Sequence, residues 1–163
     1  MRVLLAVAAF FVAAPSLAQP VRATRILVDK SEHRMYVFAG TELVATYPAG
    51  FGVNRIGHKQ EEGDRRTPEG KYVLDSKNAN SAFFRSIHIS YPNAADRAAA
   101  RRRGVSPGGA IMVHGQPNDP ELAKRVPAYP FPDWTDGCIA LSNASMAALW
   151  EMVHGPVPIE ITP

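Results

Sequence analysis

The sequence predicts a β-rich α+β domain, and three observations lead there. Short runs rich in Val, Ile, Leu, Tyr and Phe recur through the first half, separated by turn-like pieces. Two later stretches carry helix caps and helical spacing. No internal repeat, low-complexity tract or interdomain linker interrupts 19–163, so the elements belong to a single domain.

Residues 25–29, 33–39 and 42–48 read as a three-stranded meander. Lys30-Ser31-Glu32 and Gly40-Thr41 form the turns between them. Along 33–39, Met35 and Val37 fall on one face and Tyr36 and Phe38 on the other, as period two requires. The stretch 50–67 is rich in glycine and charge and reads as a loop or open hairpin. Thr67-Pro68-Glu69-Gly70 follows as a turn in which proline presets φ. Residues 71–75, 86–91 and 110–114 read as further strands, the last delivering His114 at its end. Asn93 caps a helix over 94–103 that Gly104 ends. One or two helical turns fit 118–125, and the prolines of 126–134 make that stretch irregular. Asn143 caps a further helix whose Met146, Leu149, Trp150 and Val153 repeat at i, i+3, i+4, i+7, an inward-facing stripe. Gly155-Pro156 stops it, and 157–161 closes the chain as a strand. The tally is many strands with two or three helices.

Residues 1–18 read as a signal peptide: a basic start at Arg2, an apolar run over 3–14, and small residues at Ser16 and Ala18 before the expected cleavage site. The run is shorter than the roughly 20 apolar residues that a spanning helix takes; an uncleaved anchor is the alternative. The expected location is therefore exported, in the periplasm or cell envelope. The formal net charge of +3 is mild and specifies no partner. Arg97, Arg101, Arg102 and Arg103 form the one basic cluster. Without interleaved aromatics they read as a solvated helix face, not a nucleic-acid surface.

The chain has one cysteine, Cys138, in Thr135-Asp136-Gly137-Cys138-Ile139-Ala140-Leu141. Exported proteins normally pair their cysteines as disulfides, so a lone thiol after a glycine asks for a chemical reason. A cysteine nucleophile needs a neighbour that takes its proton, and His114, in His114-Gly115, is the natural base. Gly137 leaves room for backbone to approach a substrate carbonyl, and N–H groups around Cys138 would form an oxyanion hole. Taken singly, Cys138 also fits a small buried apolar residue and His114 a hydrogen-bonded structural one. His33, His58, His88 and His154 are scattered, with no i, i+4 pair and no second cysteine, which makes a poor metal site. Tyr91, Arg85 and His88 are candidates to line a substrate groove. Trp134 fits either a substrate-facing wall or the core, and Trp150 reads as core.

The stretch 111–115, Ile-Met-Val-His-Gly, and the stretch 135–143, Thr-Asp-Gly-Cys-Ile-Ala-Leu-Ser-Asn, resemble the active-site signature of the L,D-transpeptidase catalytic domain family (YkuD-type). Thr67-Pro68-Glu69-Gly70-Lys71-Tyr72 resembles its upstream Thr-Pro-x-Gly stretch, and 25–28 with 34–38 are similar to its opening strands. The resemblance runs from about 25 to 161. It implies a mixed β-sandwich or barrel with short helices, over 19–163, and an enzyme that rebuilds peptidoglycan. In such enzymes the thiolate attacks the carbonyl joining the third residue of a stem tetrapeptide, usually a diaminopimelate, to the terminal D-Ala. D-Ala leaves, a thioester forms, and an amine of a second stem takes the acyl group. Carried over by position, Cys138 is the nucleophile and His114 the base. Gly137, Asp136, Thr135 and Gly115 lie at the substrate and oxyanion positions. Stem peptides are the implied partner. No metal, organic cofactor or nucleic acid is implied, and a monomer is expected.

Two positions depart from the family pattern. Asp136 stands where many members have histidine, and Ala140 where many have arginine or asparagine. A carboxylate at 136 would raise the thiol's pKa unless it pairs with His114 or a cation. A divergent branch of this fold hydrolyses peptidoglycan–protein links. An L,D-carboxypeptidase or amidase is therefore one alternative, and a wall-binding module with a dead site another.

Overall fold

In a computed structural model of the chain the structure describes residues 21–126 and 133–163; the expected signal peptide over 1–18 and most of the proline-rich stretch lie outside the described residues. The elements run β1 (Arg25–Asp29), β2 (Arg34–Ala39), β3 (Glu42–Pro48), β4 (Gly70–Asn78), β5 (Ser86–Ile89), α1 (Ala94–Arg103), β6 (Met112–His114), α2 (Pro120–Ala123), β7 (Ile139–Ala140), α3 (Asn143–Met152) and β8 (Val157–Thr162). The eight strands among the described residues form one mixed sheet in the order β3-β2-β1-β8-β4-β5-β6-β7. The sheet curls into a half-barrel with three short helices, the β-rich α+β architecture that the sequence predicts.

β1, β2 and β3 pair antiparallel in sequence order, as a meander does. Met35 and Val37 are fully buried while Tyr36 and Phe38 lie half-buried on the other face. β8 inserts between β1, to which it is parallel, and β4, to which it is antiparallel. Its central place follows from its pattern: Val157, Ile159 and Ile161 are buried, and Pro158 between them is exposed. α3 lays Met146, Leu149 and Val153 into the same core. Trp150 is only half-buried, at the core edge beneath the Lys77 and Arg85 side chains.

The caps explain the helix limits. The Asn93 side chain accepts from the N–H groups of Ala95 and Asp96, and Asp96 reciprocates on the Asn93 N–H. Gly104 ends α1 at φ 70°, where a side chain would be strained. The basic cluster is the exposed face and end of that helix. For α3 the cap is Ser142, whose Oγ accepts from the Ser145 N–H at 3.0 Å. Asn143, expected as the cap, stands one position inside the helix.

The half-barrel closes at its edges. The chain leaving β3 reaches across to β7, where Gly50 and Ala140 exchange two backbone hydrogen bonds of 2.9 Å. β7 itself gives almost no sequence signal, being two residues long.

The alternation along β8 predicts a contrast within one strand. Ile159→Ala should cost about 2–5 kcal/mol through the cavity it leaves. Glu160→Ala, at a half-exposed position, should stay within about 0.5 kcal/mol. Urea unfolding of both variants checks the pair.

Candidate active site

β6 and β7 pair in parallel, with Val113 opposite Ile139 and His114 opposite Ala140. Continuing that register by one residue sets Cys138 beside Met112, and the Met112 N–H donates to Sγ at 3.4 Å. Period two then places His114 and Cys138 as diagonal neighbours on one face. Both line a cavity of about 440 Å³, whose walls include Met112, Phe83 and Trp134. Trp134 is thus a wall of the cavity, packed edge-on to His114 with ring centres 5.8 Å apart.

His114 is 4% exposed, and its Nδ1 lies 2.7 Å from the Gly115 carbonyl oxygen. A carbonyl only accepts, so Nδ1 carries the proton and Nε2 keeps its lone pair. This main-chain oxygen, not Asp136, orients the ring. Phe83 lies against it at 4.6 Å. Burial pushes the imidazole pKa below its ordinary value and outweighs the Gly115 carbonyl, which acts the other way.

The segments bearing the two residues are stitched together. The Leu141 N–H donates to the His114 carbonyl at 2.8 Å, and the Gln116 side-chain amide donates to the Leu141 carbonyl at 2.6 Å. The Gln116 N–H donates to Asn143 Oδ1 at 2.7 Å. That is the role of Asn143 in place of capping. Gly115 lets the contact form, since a Cβ there would lie 2.6 Å from Asn143 Oδ1. Its own N–H is turned to the Phe83 and Arg85 carbonyls, away from any substrate.

Thr135 organises the cysteine turn from inside. Its buried hydroxyl donates to the Cys138 carbonyl at 2.7 Å and accepts from the Gly137 N–H at 3.1 Å. Neither the Thr135 hydroxyl nor the Gly137 N–H is therefore free to hold an oxyanion. The Cys138 N–H has no acceptor among the described residues and is the donor left for that task. Gly137 sits at φ 135°, and a Cβ on it would lie 2.7 Å from the Arg66 carbonyl oxygen. Gly137 thus makes room for the backbone of Arg66.

Asp136 is exposed, and its Oδ1 accepts from Arg65 Nε at 2.9 Å. Of the two arrangements that would relieve the thiol, pairing with a cation is the one present. Burial is the main cause that pushes the Cys138 thiol above its ordinary value. The Met112 N–H opposes it, Asp136 adds to it, and Lys59 opposes it. Thiol and imidazole are both neutral near pH 7.

The other groove candidates lie elsewhere. The Tyr91 hydroxyl donates to the Pro107 carbonyl, His88 pairs with Asp75, and Arg85 lies over the Phe84 and Trp150 rings. None of the three lines the cavity. Arg65, Met112 and Phe83 line it instead, and Asn143 ties Gln116 behind it; no local pattern marks the first three. Ser142-Asn143 before a helical stripe was the one available hint.

Thr135→Val removes the hydroxyl without changing its shape, orphaning the Cys138 carbonyl and the Gly137 N–H. It should cost about 1–3 kcal/mol, and Thr135→Ser should recover most of it, as read from unfolding midpoints.

A sequence profile of the L,D-transpeptidase catalytic domain (YkuD) matches residues 23–161. YafK of Escherichia coli K12, named as an L,D-transpeptidase, is 28% identical over 102 residues, 61% of this chain and 33% of YafK. The chain thus spans about a third of that relative's length. Among solved structures, the helical cell shape determining protein Pgp2 of Campylobacter jejuni matches with a TM-score of 0.64 at 25% identity, covering 86% of this chain and 48% of Pgp2. Bd1075 of Bdellovibrio bacteriovorus gives 0.59 at 25% identity, covering 87% and 48%. An L,D-transpeptidase from Mycobacterium smegmatis gives 0.55 at 17% identity, covering 86% and 59%, and speaks for the fold alone. With a profile that begins before β1 and ends within β8, the chain belongs to the L,D-transpeptidase catalytic domain family.

Proposed function

We propose that this chain is an L,D-transpeptidase acting on peptidoglycan stem peptides, with Cys138 as nucleophile and His114 as general base. One observation carries the reading. Cys138 and His114 share a face of the β6–β7 pair and line one cavity, and the Gly115 carbonyl leaves His114 Nε2 as the basic nitrogen. Asp136 is tied to Arg65, so the base is not drawn off into a pair with that carboxylate. That argues against a dead wall-binding module. The apolar run over 3–14 with Ser16 and Ala18 supports export to the periplasm or cell envelope, where stem peptides are found.

The neutral pair sets the mechanism. His114 Nε2 takes the thiol proton as Sγ attacks the carbonyl before the terminal D-Ala, and the Cys138 N–H donates to the oxygen that becomes negative. The imidazolium returns that proton to the departing D-Ala nitrogen, leaving a thioester on Sγ. An amine of a second stem then attacks, His114 taking its proton, and collapse of the adduct restores the thiol. Water in place of the amine would make the same site an L,D-carboxypeptidase or amidase.

Incubation with a disaccharide-tetrapeptide, followed by mass spectrometry of protein and muropeptides, tests this. A Cys138 adduct with D-Ala release and then a cross-linked dimer is expected. Tripeptide without dimer would assign a hydrolase, and no adduct would overturn the reading. Cys138→Ala should abolish the adduct, and His114→Gln should lower kcat/KM by about 10²–10⁴. The base must be unprotonated, and burial sets its pKa below the ordinary 6.5. Activity should therefore hold as pH falls to 6.5 and decline only below it. A thiol reagent should label free Cys138 slowly at pH 7, because its pKa lies above the ordinary 9.0.

A further inference from the structure

Asn143 opens α3 without serving it. Ser142 caps the helix, and asparagine is a poorer helix former than alanine because its short amide competes with the helix backbone. The side chain is spent elsewhere: Oδ1 accepts from the Gln116 N–H at 2.7 Å. A backbone donor requires an oxygen opposite it, so that bond also fixes which way the amide points.

The bonded N–H belongs to the peptide unit that carries the Gly115 carbonyl. A peptide unit is planar, so fixing its N–H fixes the direction of its C=O. That carbonyl lies 2.7 Å from His114 Nδ1 and is the acceptor that leaves Nε2 with its lone pair. Asn143 therefore reaches the base through two hydrogen bonds on opposite ends of one rigid plane.

No other hydrogen bond among the described residues holds that plane. The preceding peptide unit is held independently. The His114 carbonyl accepts from the Leu141 N–H, and the Gly115 N–H donates to the Phe83 and Arg85 carbonyls. Between the two units stands Gly115, the residue type that resists rotation least. Crowding forbids any other residue there, since a Cβ would lie 2.6 Å from Asn143 Oδ1 and 2.9 Å from Phe84 Cβ. A plane hinged on glycine keeps its direction only if something clamps it, and Asn143 is the clamp. The Gln116 side chain supplies a contrast. Its amide donates to the Leu141 carbonyl at 2.6 Å, tying the same two segments without touching the plane.

We infer that Asn143 is a positioning residue for the base: through the Gly115–Gln116 peptide it holds the carbonyl that sets the tautomer and ring orientation of His114. The effect on turnover rests on the function proposed above, whereas the tautomer is a property of the chain itself.

Nitrogen NMR of the histidine rings at about pH 8, where His114 is neutral, reads the tautomer directly, with His114→Gln identifying its signals. The parent should carry the proton on Nδ1. Asn143→Ala should mix the tautomers and lower kcat about tenfold with KM unchanged. Alanine suits an exposed helical position, so this variant should fold. Asn143→Asp, which keeps an acceptor oxygen, should restore the parent tautomer. Gln116→Ala should lower the unfolding midpoint yet leave the proton on Nδ1, because the backbone N–H remains. A parent-like tautomer in Asn143→Ala, or equal mixing in Gln116→Ala, overturns the inference. D-Ala release by the parent separates the two claims. Release with a tautomer that Asn143→Ala does not move leaves the proposed chemistry standing and removes this one, and mixed tautomers without release in the parent do the reverse.

Discussion

The reciprocal backbone bonds between Gly50 and Ala140 are the contact on which the site depends. β7 is too short to hold itself, with two residues against one neighbour. It is fixed because its backbone is bonded on both sides, to β6 and to the chain leaving β3. Cys138 immediately precedes β7, so the position of Sγ is a by-product of closing the half-barrel. Ala140 is wholly buried in that seam, so position 140 presents no polar group to the cavity. The cation that pairs with Asp136 comes instead from Arg65, far away in sequence, which offers a physical reading of the two departures from the family pattern. With arginine absent at 140 and a carboxylate present at 136, a charge from another loop balances the site.

Desolvation also decides the resting chemistry. Burial disfavours the thiolate and the imidazolium alike, so the dyad waits as neutral thiol and neutral base, not as an ion pair. In the oxidising compartment to which we propose the protein is exported, this has a use. The thiolate is the species that oxidants attack and that itself attacks disulfides, so a proton held on Sγ protects the chain's one cysteine.

The sequence carried those parts of this arrangement whose causes are local. Alternation specified β1, β2 and β3, the Asn93 and Gly104 caps specified α1, and the sequence singled out His114 and Cys138, which line one cavity. What escaped was set by distant backbone. Thr135, carried over only as a substrate or oxyanion position, turns its hydroxyl onto the Cys138 carbonyl, and Asn143 looks like a cap until Gln116 is seen on it. Lys30, in an expected turn, is fully buried against Glu69 and the Gly57 carbonyl, and charge patterning sends lysine to the surface. Gly137 was singled out for the room it leaves, and the neighbour that uses that room here is the Arg66 carbonyl.

The 50–67 loop reads as polar connector, yet it forms a wall of the site because Asp64 organises it. The Asp64 carboxylate accepts from the N–H groups of Gln60, Glu61 and Arg66 and from buried Lys59. Arg66 then presses its carbonyl on Gly137, while Arg65 reaches Asp136. Burial pushes the Asp64 carboxyl up, but the Gln60 N–H, the Lys59 ammonium and the Arg66 and Glu61 N–H groups outweigh it, leaving its pKa below the ordinary 3.8. A carboxyl with a lowered folded-state pKa contributes its stability above the unfolded value and loses it only as pH falls through the folded one. The loop therefore keeps its organising charge down to about pH 4. With His114 as the proposed base, a reversible loss of turnover on acidification above that limit reports on the base, and not on collapse of the loop around it.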